Sequence, residues 1–172
     1  MKINLVKQTT EFNCGSACLA MILDMSPAEV EEKVLKRKIG ELYDTEETDE
    51  NLPIGVTAYE IQAALYDYGY YPYYIHVPCK KVGDNWFHRI GDQLPLLKSL
   101  ERIERHIYHQ RRPAILGVDS LKYKGGSHWI VVNNRRLYDP ADYEHTYQHL
   151  SDYNAEHQLK ISEAILILEE GP

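Results

Sequence analysis

Four residues have the types needed for nucleophilic catalysis, and they come in two pairs. Gln8 and Cys14 stand six residues apart near the N-terminus, and His128 and Asp139 stand eleven apart in the second half of the chain. A thiol attacks a carbonyl carbon once an imidazole has taken its proton, and a carboxylate holds that imidazole in the right tautomer. A side-chain amide close by can donate a hydrogen bond to the oxyanion that forms. The set is complete for acyl-transfer chemistry, provided that the fold brings the two pairs together.

Cys14 opens an apolar run that reaches Leu23 and predicts a helix. The run is apolar on nearly all sides, so we expect the helix to be buried. A cysteine at the start of a helix lies at the positive end of the helix dipole, which favours the thiolate, and the unpaired backbone N–H groups there can bind an oxyanion. Gly15 would leave room for a substrate carbonyl to approach the backbone. Taken alone, however, a buried cysteine is more often a structural residue than a nucleophile.

His128 and Asp139 lie on segments that predict two neighbouring strands. His128 begins a β-branched run after a glycine-rich approach. Asn133-Asn134 then predicts a hairpin turn into the strand that Asp139 ends. Since adjacent antiparallel strands bring facing residues together, we expect His128 to lie beside Asp139.

Three segments carry a family resemblance: Gln8 with the run Asn13-Cys14-Gly15-Ser16-Ala17-Cys18-Leu19-Ala20-Met21-Ile22-Leu23, then Ser127-His128-Trp129-Ile130-Val131-Val132, and then Tyr138-Asp139-Pro140. They resemble the active-site cysteine, histidine and aspartate segments of the bacteriocin-processing peptidases, in the same chain order. These are papain-like enzymes that trim double-glycine leader peptides. The predicted helix over 57–69 and the predicted strand over 113–118 also stand where the family has them.

The resemblance implies a role for each of the four residues. Gln8 would be the oxyanion-hole residue, Cys14 the nucleophile, His128 the general base and Asp139 the residue that orients it. It also implies a papain-like fold, a peptide or protein substrate, and no cofactor or metal. Two features depart from the family. The residue before the cysteine is Asn13 where the family usually has Asp, and this chain does not contain the transporter membrane domains to which the best-known members are fused.

The remaining patterns predict the fold class. Ser26-Pro27-Ala28-Glu29 and Thr57-Ala58-Tyr59-Glu60 are capping boxes that start two helices, and Gly69 ends the second. A further helix is predicted over 96–110, and strands are predicted over 3–6, 70–77 (at a sheet edge, because of its prolines), 113–118 and 164–168. The predicted fold is α+β and papain-like, with N-terminal helices packed on a C-terminal antiparallel sheet. We expect a single domain over residues 1–172, with an acidic loop or insertion at about 40–53.

Charge and composition exclude several classes of protein. The net charge is −7, but six acids lie within residues 41–50, so the rest of the chain is close to neutral and shows no basic face. This argues against a nucleic-acid partner. No apolar run approaches the roughly 20 residues of a membrane span, and the N-terminus has no signal-peptide pattern, so we expect a cytoplasmic protein. The 3 cysteines do not predict a disulfide framework. The oligomeric state is open.

Three other interpretations of the same residues stay open. An isopeptide or amide hydrolase, or an acyl transferase, would use the same nucleophile set. A non-catalytic peptide- or partner-binding module would have kept the fold and lost turnover, although no catalytic residue is missing. A metal site of Cys14, Cys18 and His128 would need a fourth ligand and would leave Gln8 and Asp139 without a role.

Tyrosine is unusually frequent, with 14 Tyr against 2 Phe. A cluster lies within residues 66–74. Because tyrosine has an apolar ring and a polar end, this cluster is either half core and half rim or the lining of a peptide-binding groove.

Overall fold

The structure, a computed structural model, describes residues 1–39, 55–82, 85–88, 93–120, 126–141, 152 and 160–168. The acidic loop predicted at about 40–53 lies outside these residues. The helices are α1 (Cys14–Leu23), α2 (Pro27–Glu29), α3 (Ala58–Asp67) and α4 (Gln93–Glu104), and π-helical turns over Val30–Leu35 and Arg105–His109 extend α2 and α4. The strands are β1 (Tyr71–His76), β2 (Cys79–Val82), β3 (Asn85–His88), β4 (Ala114–Asp119), β5 (Ser127–Asn133), β6 (Arg136–Tyr138) and β7 (Ile161–Leu168).

The central helix of the fold is α1, which is buried on all sides as its apolar composition predicts. Nine of its ten residues are buried. It starts at Cys14 and ends where Asp24 takes a left-handed conformation, with φ of 54°. Because a helix of this kind needs apolar neighbours all round, it packs against β5 and against both α2 and α3. Cys14 therefore stands at the N-terminal end of the most enclosed element of the chain.

Both predicted capping boxes are present. The Ser26 hydroxyl accepts a hydrogen bond from the Glu29 N–H, and the Thr57 hydroxyl accepts one from the Glu60 N–H. Each glutamate carboxylate accepts in return from the N–H of its cap residue. Gly69, with φ of 82°, follows α3 and turns the chain into β1. These bonds are local, so the sequence alone was enough to predict both helix starts.

A five-stranded sheet with antiparallel neighbours carries the rest of the fold, in the strand order β1-β7-β4-β5-β6. β1 lies at one edge, as predicted, although it comes from the middle of the chain. Successive residues of the strands point to opposite faces. One face packs on α1 and α3, and the other on Ile103 and Ile107 of α4 and its extension. The predicted α+β class, with helices packed on an antiparallel sheet, is confirmed.

Two predicted elements need correction. Residues 3–6 form no strand, and among the described strands none pairs with them, so that prediction is wrong. Their apolar side chains Ile3, Leu5 and Val6 pack against the cluster around α1 instead, which accounts for the apolar pattern. The helix predicted over 96–110 starts earlier, at Gln93, and its last turn is π-helical.

The predicted hairpin between β5 and β6 is confirmed, but its turn is Asn134-Arg135, one residue later than predicted. Its register pairs Val131 with Tyr138. Both turn residues have positive φ, 49° at Asn134 and 68° at Arg135, as a tight two-residue hairpin requires. Asp139, directly after β6, therefore returns alongside the first half of β5.

A close contact of α1 with the segment before α3 gives a stability prediction. A Cβ atom at Gly15 would lie 2.6 Å from the Cβ of Val56 and 3.3 Å from Cδ1 of Trp129. Alanine is the better helix former by about 1 kcal/mol, yet we expect Gly15→Ala to lower the free energy of unfolding in urea by about 1–3 kcal/mol, because the backbones must move apart. Gly55→Ala is the control, since its Cβ would meet only the Phe12 carbonyl oxygen, at 3.5 Å. Equal stability of Gly15→Ala and wild type would contradict this packing.

Candidate active site

His128 and Asp139 form a buried hydrogen-bonded pair. His128 Nε2 lies 2.7 Å from Asp139 Oδ1, and the two side chains are 10% and 2% exposed. Asp139 Oδ1 also accepts from the backbone N–H of Ala141, at 2.8 Å. The carboxylate is thereby fixed by its own turn, and the imidazole is held with Nε2 toward it. The structure thus brings these two predicted site residues together.

The Cys14 thiol is the other side chain that acts on the His128 ring, and it is close enough to raise the pKa of His128. Because Nε2 is engaged by Asp139, the ring nitrogen that faces the thiol is Nδ1. Cys14 is the first residue of α1 and is 8% exposed. The packing of α1 against β5 places the Cys14 thiol beside the His128 imidazole. The three side chains follow one another in space, and we call them the Cys14–His128–Asp139 series.

The His128 ring is held in its charged form. Burial alone would lower the pKa of His128, but its hydrogen bonds to Asp139 and Cys14, together with the charges of these groups, outweigh burial and raise the pKa to about 10. An imidazolium between a thiol and a carboxylate stabilises a thiolate through both charge and hydrogen bonding. The arrangement can therefore hold a nucleophilic sulfur and a transferable proton side by side.

Gln8 lies beside the segment that carries Asp139. Its backbone N–H donates to the Pro140 carbonyl, at 3.1 Å. Its side-chain Nε2 donates to the Thr10 carbonyl at 3.0 Å, and its Oε1 is buried with no hydrogen-bond partner in the described part of the chain. Within the same residues, no hydrogen bond joins the Gln8 amide to Cys14. The structure places Gln8 near the series, and its role in an oxyanion hole stays a prediction.

Asn13 holds the loop that precedes α1 with four side-chain hydrogen bonds. Its Oδ1 accepts from the N–H groups of Thr9 and Thr10, at 3.1 and 3.0 Å. Its Nδ2 donates to Thr9 Oγ1 at 2.9 Å and to Glu31 Oε1 at 3.0 Å. Asn13 is 1% exposed, so its amide has no access to water and uses every hydrogen bond available to it. The loop that contains Gln8 is therefore fixed to the start of α1.

The same bonds leave the first turn of α1 without a side-chain cap. An Asn before a helix commonly accepts from an N–H of the first turn, but Asn13 makes no such bond. The N–H groups that begin at Cys14 have no acceptor within the helix. Sequence reasoning noted Asn13 only as a departure from the family pattern. The structure explains why this position holds Asn and not Asp: the Asn13 amide donates a hydrogen bond to Glu31, which an ionised Asp could not do.

Arg37 ties the chain before residues 40–54 to the chain after them. Its Nε and Nη2 donate to the two carboxylate oxygens of Glu60, at 2.7 and 3.0 Å. Its Nη2 also donates to the Gly55 carbonyl, at 2.7 Å. A bidentate guanidinium–carboxylate pair fixes geometry as well as charge, so the segment that enters α3 is held in place. Nothing in the sequence indicated this pair, whose members are far apart along the chain.

Val56, in that segment, forms a wall beside Cys14 together with Trp129. Trp129 Nε1 donates to the Val56 carbonyl at 2.8 Å. Both side chains would contact a Cβ at Gly15, the residue after Cys14. Gly15 is therefore required by the packing of this wall, which is a role beyond the room for substrate that the sequence suggested.

Cys18 lies one turn after Cys14 and is fully buried. Burial raises the pKa of the Cys18 thiol, and the nearby Cys14 and Asp139 raise it further. A thiol that resists ionisation is a poor metal ligand. Among the described residues, no group of three or more His, Cys, Asp or Glu side chains is arranged to hold a metal ion. The alternative of a metal site has no support in this geometry.

The tyrosine cluster is part core and part rim. Tyr70 packs against the cluster around α1. On β1, Tyr71 and Tyr73 point to one face of the sheet and Tyr74 points to the other. Tyr66, on α3, is 66% exposed. The tyrosines are divided among several surfaces, so they do not line a single groove.

Comparison with solved structures identifies a similar fold. The chain is similar to the peptidase domain of Streptococcus ComA, a bi-functional ABC transporter involved in a quorum sensing pathway, with a TM-score of 0.58 and 18% sequence identity over 98% of this chain and 100% of that one. The chain has a papain-like fold. The predicted resemblance to the bacteriocin-processing peptidases is confirmed at the level of the fold. No family model matches the sequence, and no curated protein matches it either. No helix in the described ranges is long and apolar enough to cross a membrane.

Replacing Asp139 with Asn should change how stability depends on pH. The folded protein raises the pKa of His128 from 6.5 to about 10, so it holds this proton more tightly than the unfolded chain does. The resulting stabilisation is complete below about pH 6.5 and is lost as the pH rises toward 10. In urea unfolding between about pH 7 and pH 9, the free energy of unfolding should fall in wild type and fall less in Asp139→Asn, whose amide carries no charge. Glu101→Gln, which removes an exposed carboxylate on α4, should follow wild type. Parallel curves for wild type and Asp139→Asn would refute a charged pair.

A second prediction concerns Asn13 and Glu31. In Asn13→Asp two carboxylates would face each other in a buried setting, so we expect the free energy of unfolding to drop by about 3 kcal/mol. Glu31 accepts two hydrogen bonds, from Asn13 Nδ2 at Oε1 and from the Ile39 N–H at Oε2, the second at 3.2 Å. A Gln at this position has one side-chain oxygen, so Glu31→Gln alone can keep only one of these two bonds. In the double variant Asn13→Asp/Glu31→Gln, the new Gln can donate to the new Asp and still accept from Ile39. We therefore expect the double variant to recover most of the lost stability, which a double-mutant cycle in urea measures. Additive losses would show that the Asn13–Glu31 bond contributes nothing.

Proposed function

We propose that the chain is a cysteine peptidase that hydrolyses a peptide bond with Cys14, His128 and Asp139, and with Gln8 in the oxyanion hole. The observation that carries the proposal is the Cys14–His128–Asp139 series at the N-terminus of a buried helix. The similarity to a peptidase domain supports a peptide or protein as substrate. Its extent, 98% of the chain, supports a single domain over residues 1–172.

The first step is attack of the Cys14 thiolate on a substrate carbonyl carbon. The His128 imidazolium lies beside the sulfur, and its positive charge stabilises the negative charge on the attacking sulfur. As the sulfur–carbon bond forms, the carbonyl oxygen takes the negative charge. The N–H of Cys14, at the start of α1 that Asn13 leaves uncapped, donates to this oxygen. A remaining N–H of the Gln8 amide donates as well, once substrate has drawn the amide toward the site.

The second step is departure of the amine. His128 Nδ1 gives its proton to the leaving nitrogen, the carbon–nitrogen bond breaks, and a thioester on Cys14 remains. The neutral Nδ1 then takes a proton from a water molecule, which attacks the thioester and releases the carboxylic acid. Asp139 holds the ring through Nε2 during both transfers and stays ionised throughout. Cys14 thus forms and loses the bond to the acyl group, His128 moves the protons, and Asp139 holds His128, and none of these steps uses a cofactor.

Cleavage of peptides by the full chain tests the proposal. A proteome-derived peptide library is incubated with wild type or with Cys14→Ala in water labelled with heavy oxygen, and new termini are identified by mass spectrometry. We expect new carboxyl termini that carry the label with wild type and none with Cys14→Ala. Transfer of the acyl group to an added amine in place of water would identify an acyl transferase, and release of side-chain amides alone would identify an isopeptide or amide hydrolase. Binding of peptides by both proteins with no new terminus would identify a binding module and refute the proposal.

Variants of His128 and Asp139 should separate their roles. We expect His128→Ala to abolish acylation of Cys14, because the proton acceptor and the imidazolium are both lost. Asp139→Asn should keep much of the activity, because an amide can still accept from Nε2–H. Asp139→Ala should lower kcat/KM by roughly two orders of magnitude or more, since the ring loses its anchor. These constants are measured on a peptide taken from the library. Wild-type activity in Asp139→Ala would show that another group holds the imidazole.

A further inference from the structure

We propose that Glu163 forms a subsite for a positively charged side chain of the peptide substrate, on the open margin of the sheet beside Cys14. This inference rests on the proposed function and adds a sequence preference to it.

Glu163 belongs to a row of four residues that crosses the sheet. The register pairs His76 with Glu163, Glu163 with Gly117, and Gly117 with Trp129. Residues that face each other in this way lie on the same side of a sheet. That side is the one covered by α1, because Trp129 belongs to the apolar cluster around this helix. The row therefore runs from the edge strand to the wall of the candidate active site.

The helix layer stops at this row. Ile165 and Ile167, further along β7 on the same face, are completely buried in the cluster around α1. Glu163, by contrast, is half-buried, and His76 at the edge is exposed. The sheet face therefore opens along this row, from the buried Gly117 and Trp129 to the half-buried Glu163 and the exposed His76. Glu163 is the residue at which a substrate bound at Cys14 can meet the row.

Gly117 lets the Glu163 side chain extend toward the nucleophile. A Cβ at Gly117 would lie 2.5 Å from Cγ of Glu163 and 3.1 Å from its Oε1. The carboxylate therefore occupies the space that a side chain on β4 would fill, on the way to β5. At the other end of the row, Trp129 Cδ1 lies 3.3 Å from where a Cβ of Gly15 would stand. The row thus leads from Gly15, next to Cys14, past Trp129 and its strand partner Gly117 to the carboxylate.

The length of the row suits a side chain near the scissile bond. Neighbouring strands lie about 4.8 Å apart, so two steps from Trp129 to Glu163 span roughly 10 Å. An extended peptide advances about 3.3 Å per residue. A side chain that stands two or three residues from the attacked carbonyl would reach the carboxylate.

The carboxylate lacks a full counter-charge in the described chain. Its Oε2 accepts from the Tyr74 hydroxyl at 3.0 Å, and no Lys or Arg among the described residues forms an ion pair with it. The exposed His76 is the titratable group that faces it from β1. Burial raises the pKa of Glu163 despite the opposing effects of Tyr74 and His76, so the ionised form is short of stabilisation. A lysine or arginine side chain would supply charge and a hydrogen bond to Oε1.

Matched peptides test the preference. The positions around cleavage sites in the library are compared for wild type and Glu163→Gln, which keeps the side-chain size and an acceptor for Tyr74. We expect wild type to favour Lys or Arg at one position. On two peptides that differ only by Lys or Gln there, wild type should cleave the Lys peptide about tenfold faster in kcat/KM. Glu163→Gln should cleave both peptides equally, at the rate of wild type on the Gln peptide. Glu101→Gln, on the opposite face of the sheet, should keep the wild-type preference.

A binding measurement separates failure of this inference from failure of the proposed function. Immobilised Cys14→Ala and Cys14→Ala/Glu163→Gln are exposed to the same peptide library, and retained peptides are counted by mass spectrometry. We expect enrichment of Lys- and Arg-containing peptides on the first protein and its loss on the second. If wild type cleaves nothing, the proposed activity is wrong and this comparison still decides the subsite. Equal retention by both proteins, or an unchanged preference in Glu163→Gln, would overturn the inference.

Discussion

The buried amide of Asn13 is the constraint on which the site depends most. With its four bonds made and only 1% of its surface exposed, it has one orientation, since any rotation would leave buried polar groups without partners. That orientation has two effects at once. It holds the loop from which Gln8 reaches the Asp139 segment, and it withholds the usual cap from α1, so the helix presents its first N–H groups to a substrate. The two proposed halves of an oxyanion hole are therefore coupled through a single side chain.

The His128–Asp139 pair is the second constraint on the site, and its burial costs free energy. Taking two charges out of water carries a desolvation penalty that their attraction repays only in good geometry. The β5–β6 hairpin supplies this geometry, because its tight turn sets the register and the Ala141 N–H steadies the carboxylate. The thiol of Cys14 adds a further partner for the ring. A buried charged pair of this kind is weak evidence for stability and better evidence for chemistry.

The sequence predicted what depends on local signals and missed what depends on distant partners. The start of α1 at Cys14, the two capping boxes and the β5–β6 hairpin are all encoded within a few residues, and each was found, although the hairpin turn lies one residue later than predicted. The segment 3–6 was assigned to a strand because its apolar residues pack on α1 without any strand pairing, a difference that periodicity does not reveal. In the same way, the sequence drew attention to Asn13 but could not predict its hydrogen-bond partner Glu31, which lies eighteen residues away along the chain. The pairing of β1 with β7, which puts Tyr74 on Glu163, depends on the sheet order alone.

Two carboxylates on the α1 side of the molecule differ in a way that suits the different roles proposed for them, catalysis for Asp139 and substrate binding for Glu163. Asp139 is almost completely buried and has its charge balanced by the His128 imidazolium within the protein. Glu163 is half-buried, accepts one bond from a neutral hydroxyl, and among the described residues is faced only by the exposed imidazole of His76, with no Lys or Arg in an ion pair with it. A carboxylate whose charge is balanced by a cation of the protein itself holds that cation in the same orientation whether or not a substrate is present. A carboxylate whose charge is only partly balanced, at the margin of the helix layer, is stabilised most when a positively charged group binds there. In the proposed function, the fold thus balances the charge of the reacting groups from within and leaves the partly unbalanced Glu163 carboxylate where a substrate would reach it.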